Sequence, residues 1–345
     1  MRTLLLFVLL IAGATVAPVA HAVTTCAVTA ADASLPFGTI VSAGAGATGT
    51  LNVTVTCTTT AVSVGGSAGV RVCVGLGTGT GGSTTQPLRT LTNSTLDPMS
   101  FQIYNQANFT QVTGLTPGGS PAPKQLTMAY TAPVLVGTGT ASTQLYAQVP
   151  ASQILASGNY SSTFSGANVV ITWGANEQLI GSVAPPATCT SGNAGSSSTS
   201  GAFNFTATAS VAPQCGSYLA TNMDFGTVTG NIGSNIDQTA TLTLNCLKRT
   251  AYQIGLNNGT NAPAEGTARR MRTTAVNNSS QYLTYELYRD PARTQRWGST
   301  LAVDTVSGTG TGSAQQLTIY GRVPAVTGQP AAGTYNDLVT VTITY

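Results

Sequence analysis

Two cysteine pairs, Cys26 with Cys57 and Cys215 with Cys246, are each separated by 31 positions, and the sequence around one pair reads as a copy of the other. After the first cysteine comes "LPFGTI" in one copy and "MDFGTV" in the other. "LNVTVTC" then faces "LTLNC", and "VRVCVGL" faces "AYQIGL". Further along, "FQIYN" matches "YELYR", "QLYAQVP" matches "LTIYGRVP", and "SGNYSSTFSGANVVITW" matches "AGTYNDLVTVTITY". A repeat this long is a duplication of whole domains rather than a solenoid period. It obliges the chain to build one architecture twice.

The segments themselves alternate with period two: "TGTLNVTVTC", "ANVVITW", "QTATLTLNC" and "DLVTVTITY". Apolar residues at every second position, rich in valine and threonine, specify half-buried strands. Long stretches of 3.6-residue periodicity are lacking. The reading is all-β, with two sandwiches of about 150 residues each.

The opening segment "MRTLLLFVLLIAGATVAPVAHA" has one arginine, a short apolar run and a small-x-small ending at Ala20-His21-Ala22. That is the form of a secretory signal peptide over residues 1–22, cleaved after Ala22. No later run reaches the roughly 20 apolar residues a membrane span requires. Export makes six cysteines a disulfide framework. The matched spacing pairs Cys26 with Cys57 and Cys215 with Cys246, leaving Cys73 for Cys189. Each short loop closure is worth about 3–4 kcal/mol by chain entropy.

Cleavage removes His21, the only histidine. A mature chain without histidine lacks the commonest general base and a leading metal ligand. Lys124 and Lys248 are the only lysines, and neither sits in a Ser-x-x-Lys arrangement. No enzyme activity, metal site, cofactor or nucleic-acid partner is expected. "GLGTGTGG" at 75–82 lacks the lysine and the helix of a phosphate loop, so it reads as a connection. The "RRMR" run at 269–272 aligns with "LRT" at 88–90 and reads as a solvated strand edge.

The Cys…Phe-Gly…Cys opening and the Gly-x-Tyr…Val-Thr-x-Thr-x-Tyr ending resemble the spore coat protein U domain of archaic chaperone–usher (Csu-type) pilus subunits. The resemblance covers nearly all of the mature chain. Two such domains in one chain are similar to the two-domain tip adhesins of those pili. It implies immunoglobulin-like sandwiches that lack their last strand and take it from a neighbour. It also implies a periplasmic chaperone, an outer-membrane usher and a next pilus subunit as partners, with the protein at the cell surface on the pilus tip.

Under that resemblance the domains are residues 23–201, an adhesin domain ending in the flexible spacer "TSGNAGSSSTSG", and 202–345, a pilin domain. Within 202–212, "AFNFTATASV" alternates Phe203, Phe205, Ala207, Ala209 and Val211 and is expected as a donor strand completing the first domain. The same alternation also suits the first strand of the second domain, and the sequence leaves both placements open. Only Val23, Thr24 and Thr25 precede Cys26 after cleavage, too few for an outward donor. The last strand carries Val339, Val341, Ile343 and Tyr345 on one face and ends the chain. Those four are expected to border an acceptor groove. Receiving without donating is the asymmetry of a distal subunit.

Three connections of the first domain are longer than their counterparts and apolar for loops. They hold Ala61, Val62 and Val64; Leu115, Met128, Tyr130, Pro133, Val134 and Leu135; and Leu179, Ile180, Val183, Pro185 and Pro186. In an immunoglobulin-like sandwich these connections share one end. Apolar groups exposed together mark a contact surface; alternatively some fold back as extra strands, as "QLTMAYTAPVLV" permits. Residues 23–201 carry only Arg71, Arg89, Lys124, Asp32, Asp97 and Glu177 as charges, against nine basic and seven acidic groups beyond them. The combination suits attachment to hydrophobic, abiotic surfaces and biofilm initiation, which the resemblance also implies. The alternatives are a lectin-like adhesin with a polar pocket near Asn93, Asn105 and Asn108, or a structural coat or shaft subunit.

Overall fold

Threonine and valine fit a pleated, half-buried surface, and among the described residues the regular elements are strands apart from one 3₁₀ turn at Gly166–Asn168. The computed structural model describes residues 23–61, 65–82, 89–133, 135–263, 268–276 and 279–345. Its first half contains β1 (Val23–Ala31), β2 (Ser34–Thr39), β3 (Ala47–Ala61), β4 (Gly66–Leu76), β5 (Arg89–Thr92) and β6 (Pro98–Tyr104). There follow β7 (Lys124–Ala132), β8 (Leu135–Val149), β9 (Gly158–Phe164), β10 (Val169–Gln178), β11 (Ser196–Ser200) and β12 (Phe205–Val211). The second half contains β13 (Cys215–Ala220), β14 (Ile236–Cys246), β15 (Ala251–Leu256), β16 (Arg269–Val276), β17 (Ser279–Tyr288), β18 (Val306–Thr309), β19 (Ala314–Val323) and β20 (Val341–Thr344).

Each half is a two-sheet module with its own apolar core. The first pairs an eight-stranded sheet, β1-β3-β8-β6-β5-β9-β12-β2, with a four-stranded one, β11-β10-β4-β7. The second has a five-stranded sheet, β13-β14-β19-β17-β16, and a three-stranded one, β18-β15-β20. The disulfides are Cys26–Cys57, Cys73–Cys189 and Cys215–Cys246. The first and last join directly opposed residues of β1 and β3, and of β13 and β14.

The strand β12 lies between β9, antiparallel, and β2, parallel. Phe205, Ala207, Ala209 and Val211 are buried in the first core with Phe203 beside them, and Phe205 stacks on Phe164 at 4.5 Å between ring centroids. Burying a phenylalanine of this kind is worth about 2–3 kcal/mol. Among the described residues, the second module has no strand between the counterparts of β2 and β9. Those counterparts, residues 223–228 and 334–340, are not strands apart from one bridge at Asn336. In the first module β12 supplies the backbone partners of both flanks. Without such a strand, neither flank has a ladder to join.

Two expectations need correction. The stretch read as a flexible spacer contributes β11, which pairs with β10 from Val170↔Ser200 to Gly174↔Ser196. Its serine and threonine side chains stay in solvent while its backbone covers an otherwise open sheet edge. Arg269, read as part of a solvated edge, is fully buried. Its Nη2 donates to the carbonyls of Leu256 and Trp297, its Nε to Asn257, and Glu286 pairs with Nη1. Arg89 does the same in the first module, toward Leu76, Thr113 and Gly77. Burial pulls the Arg89 guanidinium down to about 10, still charged near neutral pH. Arg270 keeps the edge character, lying over the Tyr282 ring at 4.2 Å.

Candidate functional site: an apolar hairpin tip and an open groove

Three strand ladders run out at one end of the first module. The long ladder β3–β8 runs out to Ala61↔Leu135, β4–β7 to Gly66↔Ala132, and β4–β10 to Ser67↔Gln178. The end of β3, the start of β4, the end of β7, the start of β8 and the end of β10 therefore lie side by side. Leu135 is 75% exposed, Leu179 65% and Ile180 77%. Val136 and Val23 are half exposed or more, and both are paired with Thr60, which sets them on one face of the sheet at the same end of the module. The sequence reading passed over these two. Val23 carried no signal, because its position two strands away from Val136 is set by the sheet.

Below the patch the side chains are polar but mutually bonded. Thr59 Oγ1 lies 2.7 Å from Thr24 Oγ1 and 2.8 Å from Tyr130 Oη. Thr24 Oγ1 donates to Glu177 at 2.5 Å, and Trp173 Nε1 donates to the Thr24 carbonyl. Burial first of all pushes the Tyr130 hydroxyl pKa up, so it stays protonated. The tip thus stands on a rigid base.

The other residues singled out for the tip go elsewhere. Met128 is buried in the core, and Tyr130 packs against it from the rim. Leu115 lies at the opposite end of β4, its carbonyl over Gly75, where an added Cβ would come within 2.0 Å of that oxygen. Val183 is partly buried, and the chain just after it turns inward: Ala184 and Pro185 cover Gly69, and Pro186 accepts from Arg71 Nε at 2.7 Å. Cys73–Cys189 anchors the same segment. Val62, Val64 and Val134 lie outside the described residues.

The three asparagines considered for a sugar pocket do not converge. Asn93 Oδ1 accepts from Thr95 and Asp97 backbone amides in its own turn. Asn105 is buried between Thr113 and the Ala122 carbonyl, and Asn108 closes its turn with Thr110.

The second module presents a groove where the first holds β12. Two adjoining hollows, of about 510 and 530 Å³, share Met223, Phe225, Met271 and Tyr335 in their walls. Tyr285, Leu287, Ile319 and Ala240 form the floor. Val339 and Val341 line the groove, and Ile343, opposite Ile254, is partly buried against the core. Tyr345 is 56% exposed and turns to the crevice between the modules, beside Arg249 and Asn93. Tyr285 is buried against Asp337, and burial first, then that hydrogen bond, push its pKa far up.

The chain is similar to known proteins over different shares of its length. Protein U of Myxococcus xanthus is 36% identical over 137 residues, which is 36% of this chain and 71% of that protein. A crystal structure of a chaperone–tip adhesion subunit pre-assembly complex, CsuC–CsuE, from the archaic chaperone-usher Csu pili of Acinetobacter baumannii aligns over 93% of this chain and 100% of that one. The identity is 17% and the TM-score 0.39. The CupB6 tip adhesin of Pseudomonas aeruginosa aligns over 94% and 96%, at 12% identity and a TM-score of 0.31. The Spore Coat Protein U domain model matches twice, over residues 12–166 and 201–342. Those two matches follow the duplication announced by the cysteine spacing, and the chain belongs to the Spore Coat Protein U domain family.

Proposed function

We propose that this protein is the tip subunit of a chaperone–usher pilus, attaching cells to hydrophobic and abiotic surfaces and starting biofilms. The observation that carries the reading is the contrast between the modules. The first has β12 seated between β9 and β2, whereas the same place in the second is an open groove. An open strand edge beside an apolar groove invites strand addition. In this reading residues 23–201 form the adhesin domain, 202–345 the pilin domain, and 202–212 the strand donated within the chain. The periplasmic chaperone and then the next subunit fill the second groove, and the outer-membrane usher passes the protein to the cell surface. Residues 1–22 direct export.

The tip position rests on where the strands go. β12 serves its own chain, and Val23, Thr24 and Thr25 pair with Thr60, Thr59 and Thr58 of β3. The described residues therefore offer no strand outward. The adhesive role rests on Leu135, Val136, Leu179 and Ile180, which project at the end remote from the groove. Contact of such groups with an apolar surface yields about 25 cal/mol per Å² removed from water.

The test is attachment of cells carrying Leu135→Asp, Leu179→Asp and Ile180→Asp together. Electron microscopy should show pili at normal number while adhesion to polystyrene falls at least tenfold. Unchanged adhesion with intact pili overturns the hydrophobic-tip reading.

A further inference from the structure

The two modules can be compared residue by residue at the groove, because three landmarks fix the alignment. Tyr160 donates to the Ala156 carbonyl at 2.7 Å, and Tyr335 to the Ala331 carbonyl at 3.0 Å. The bridge Thr92↔Ser161 recurs as Arg272↔Asn336. Gly158 and Gly333, two residues before each tyrosine, both have positive φ, 137° and 156°. Counting on from each tyrosine, Asp337 stands where the first module has Ser162, and Val339 where it has Phe164. Leu51 and Ala240 correspond in the same way, each six positions before the second cysteine of its pair.

In the first module β12 places Phe205 opposite Phe164, Ala207 opposite Ser162 and Ala209 opposite Tyr160. In the second, Val339 stands where the first has Phe164, and the hollow that Val339 lines also holds Ala240 where the first has Leu51, so it is lined by smaller groups. The next level is narrower, since an aspartate replaces a serine. Asp337 is also held in place. Its Oδ1 accepts from the Thr260 amide and hydroxyl and from Asn261, and its Oδ2 accepts from Tyr285 Oη at 2.8 Å. A carboxylate so held cannot swing aside, and covering it with a bulky apolar group would strip its remaining solvation.

We propose that the strand received by the second module carries a bulky apolar residue opposite Val339 and, two residues later, a small one opposite Asp337. Asp337 and the Val339–Ala240 hollow are then the elements that select the partner and fix its register. A one-residue slip would turn the wrong face inward, and a two-residue slip would drive the bulky group onto the carboxylate. This rests on the strand-acceptor reading above.

The experiment uses the full chain and synthetic peptides copying residues 202–212. Hydrogen exchange over 223–228 and 335–339 reports occupation of this groove, and titration gives the apparent Kd. The parent peptide should protect both segments, and a Phe205→Trp peptide should bind at least as tightly. Phe205→Ala and Ala207→Leu peptides should each bind at least tenfold more weakly. An Asp337→Ser protein should accept the Ala207→Leu peptide within threefold of the parent; the peptide series on the unaltered protein stands without it. Binding of all peptides with equal affinity overturns the inference and leaves the acceptor reading intact. If no peptide protects either segment, the acceptor reading itself falls, and the inference with it.

Discussion

Lys248 Nζ lies 2.5 Å from Asp97 Oδ1 across the junction of the two modules, and Arg249 Nε lies 3.1 Å from the other oxygen of that carboxylate. Asp97 is set for this by its own turn, where Thr95 Oγ1 and Asn93 Nδ2 also donate to it. The Ser157 amide donates to the Lys248 carbonyl at 2.8 Å, and Leu247 packs on the first core. The turn between β14 and β15 is therefore the joint that orients the groove relative to the tip.

Asp97→Asn should loosen this joint without unfolding either module. Both basic partners are about half exposed, so the loss in stability should stay within about 1 kcal/mol. Faster exchange at the Ser157 amide and a broader distance distribution between spin labels on the two modules are the expected readouts. The pH sign follows from the Lys248 hydrogen bond, the largest of several that hold the Asp97 carboxyl well below the usual carboxylate range. Its contribution is full above the unfolded value of about 3.9 and declines as pH falls toward the depressed folded one. Spin-label distances should be unchanged from pH 8 to 5 and broaden below about pH 4, more so in the native chain than in Asp97→Asn.

Arg89→Met should destabilise the first module by at least about 3 kcal/mol. It leaves the carbonyls of Leu76, Gly77 and Thr113 without their donor, and each buried orphan costs about 1–3 kcal/mol. Lysine should not rescue it, because an ammonium does not reproduce the guanidinium fork. Denaturant titration of Arg89→Met and Arg89→Lys measures both. Arg269→Met should have the corresponding effect on the second module.

Phe205→Ala should cost the first module about 3–5 kcal/mol, the range for emptying a buried aromatic site. The stacked Phe164 would lose its partner, and β2 and β9 would lose part of what holds β12 between them. In differential scanning calorimetry only the transition of the first module should move down. A parallel shift of the second would show that β12 stabilises both.

Pattern and spacing made the duplication, the three cysteine pairs and the strand character of residues 205–211 legible. These are local properties: alternation fixes which side chains share a face, and equal spacing fixes where cysteines oppose one another on neighbouring strands. The seat of β12 in the first module was expected from the family resemblance, whereas the alternation by itself fits either module. Its place between β9 and β2 depends on Phe164 and Tyr160, more than 40 positions earlier.

The tip divides the same way. Leu135, Leu179 and Ile180 stood out as apolar residues in long connections, and they are exposed in the folded chain. Met128 and Tyr130 came from the same stretch, yet strand β7 turns them toward the core. Leu115 went to the other end of β4. The burial of Arg269 was equally hidden, because its three carbonyl acceptors come from Leu256, Asn257 and Trp297 and assemble only when the sheets pack. The sequence alone determined the number of modules, their strand patterning and their covalent closures, because the first two and the matched cysteine pairs follow from short-range spacing and Cys73 and Cys189 are the two cysteines then left. Tertiary structure alone decided which apolar faces are covered and which groove stays open, because coverage depends on partners brought together from distant parts of the chain.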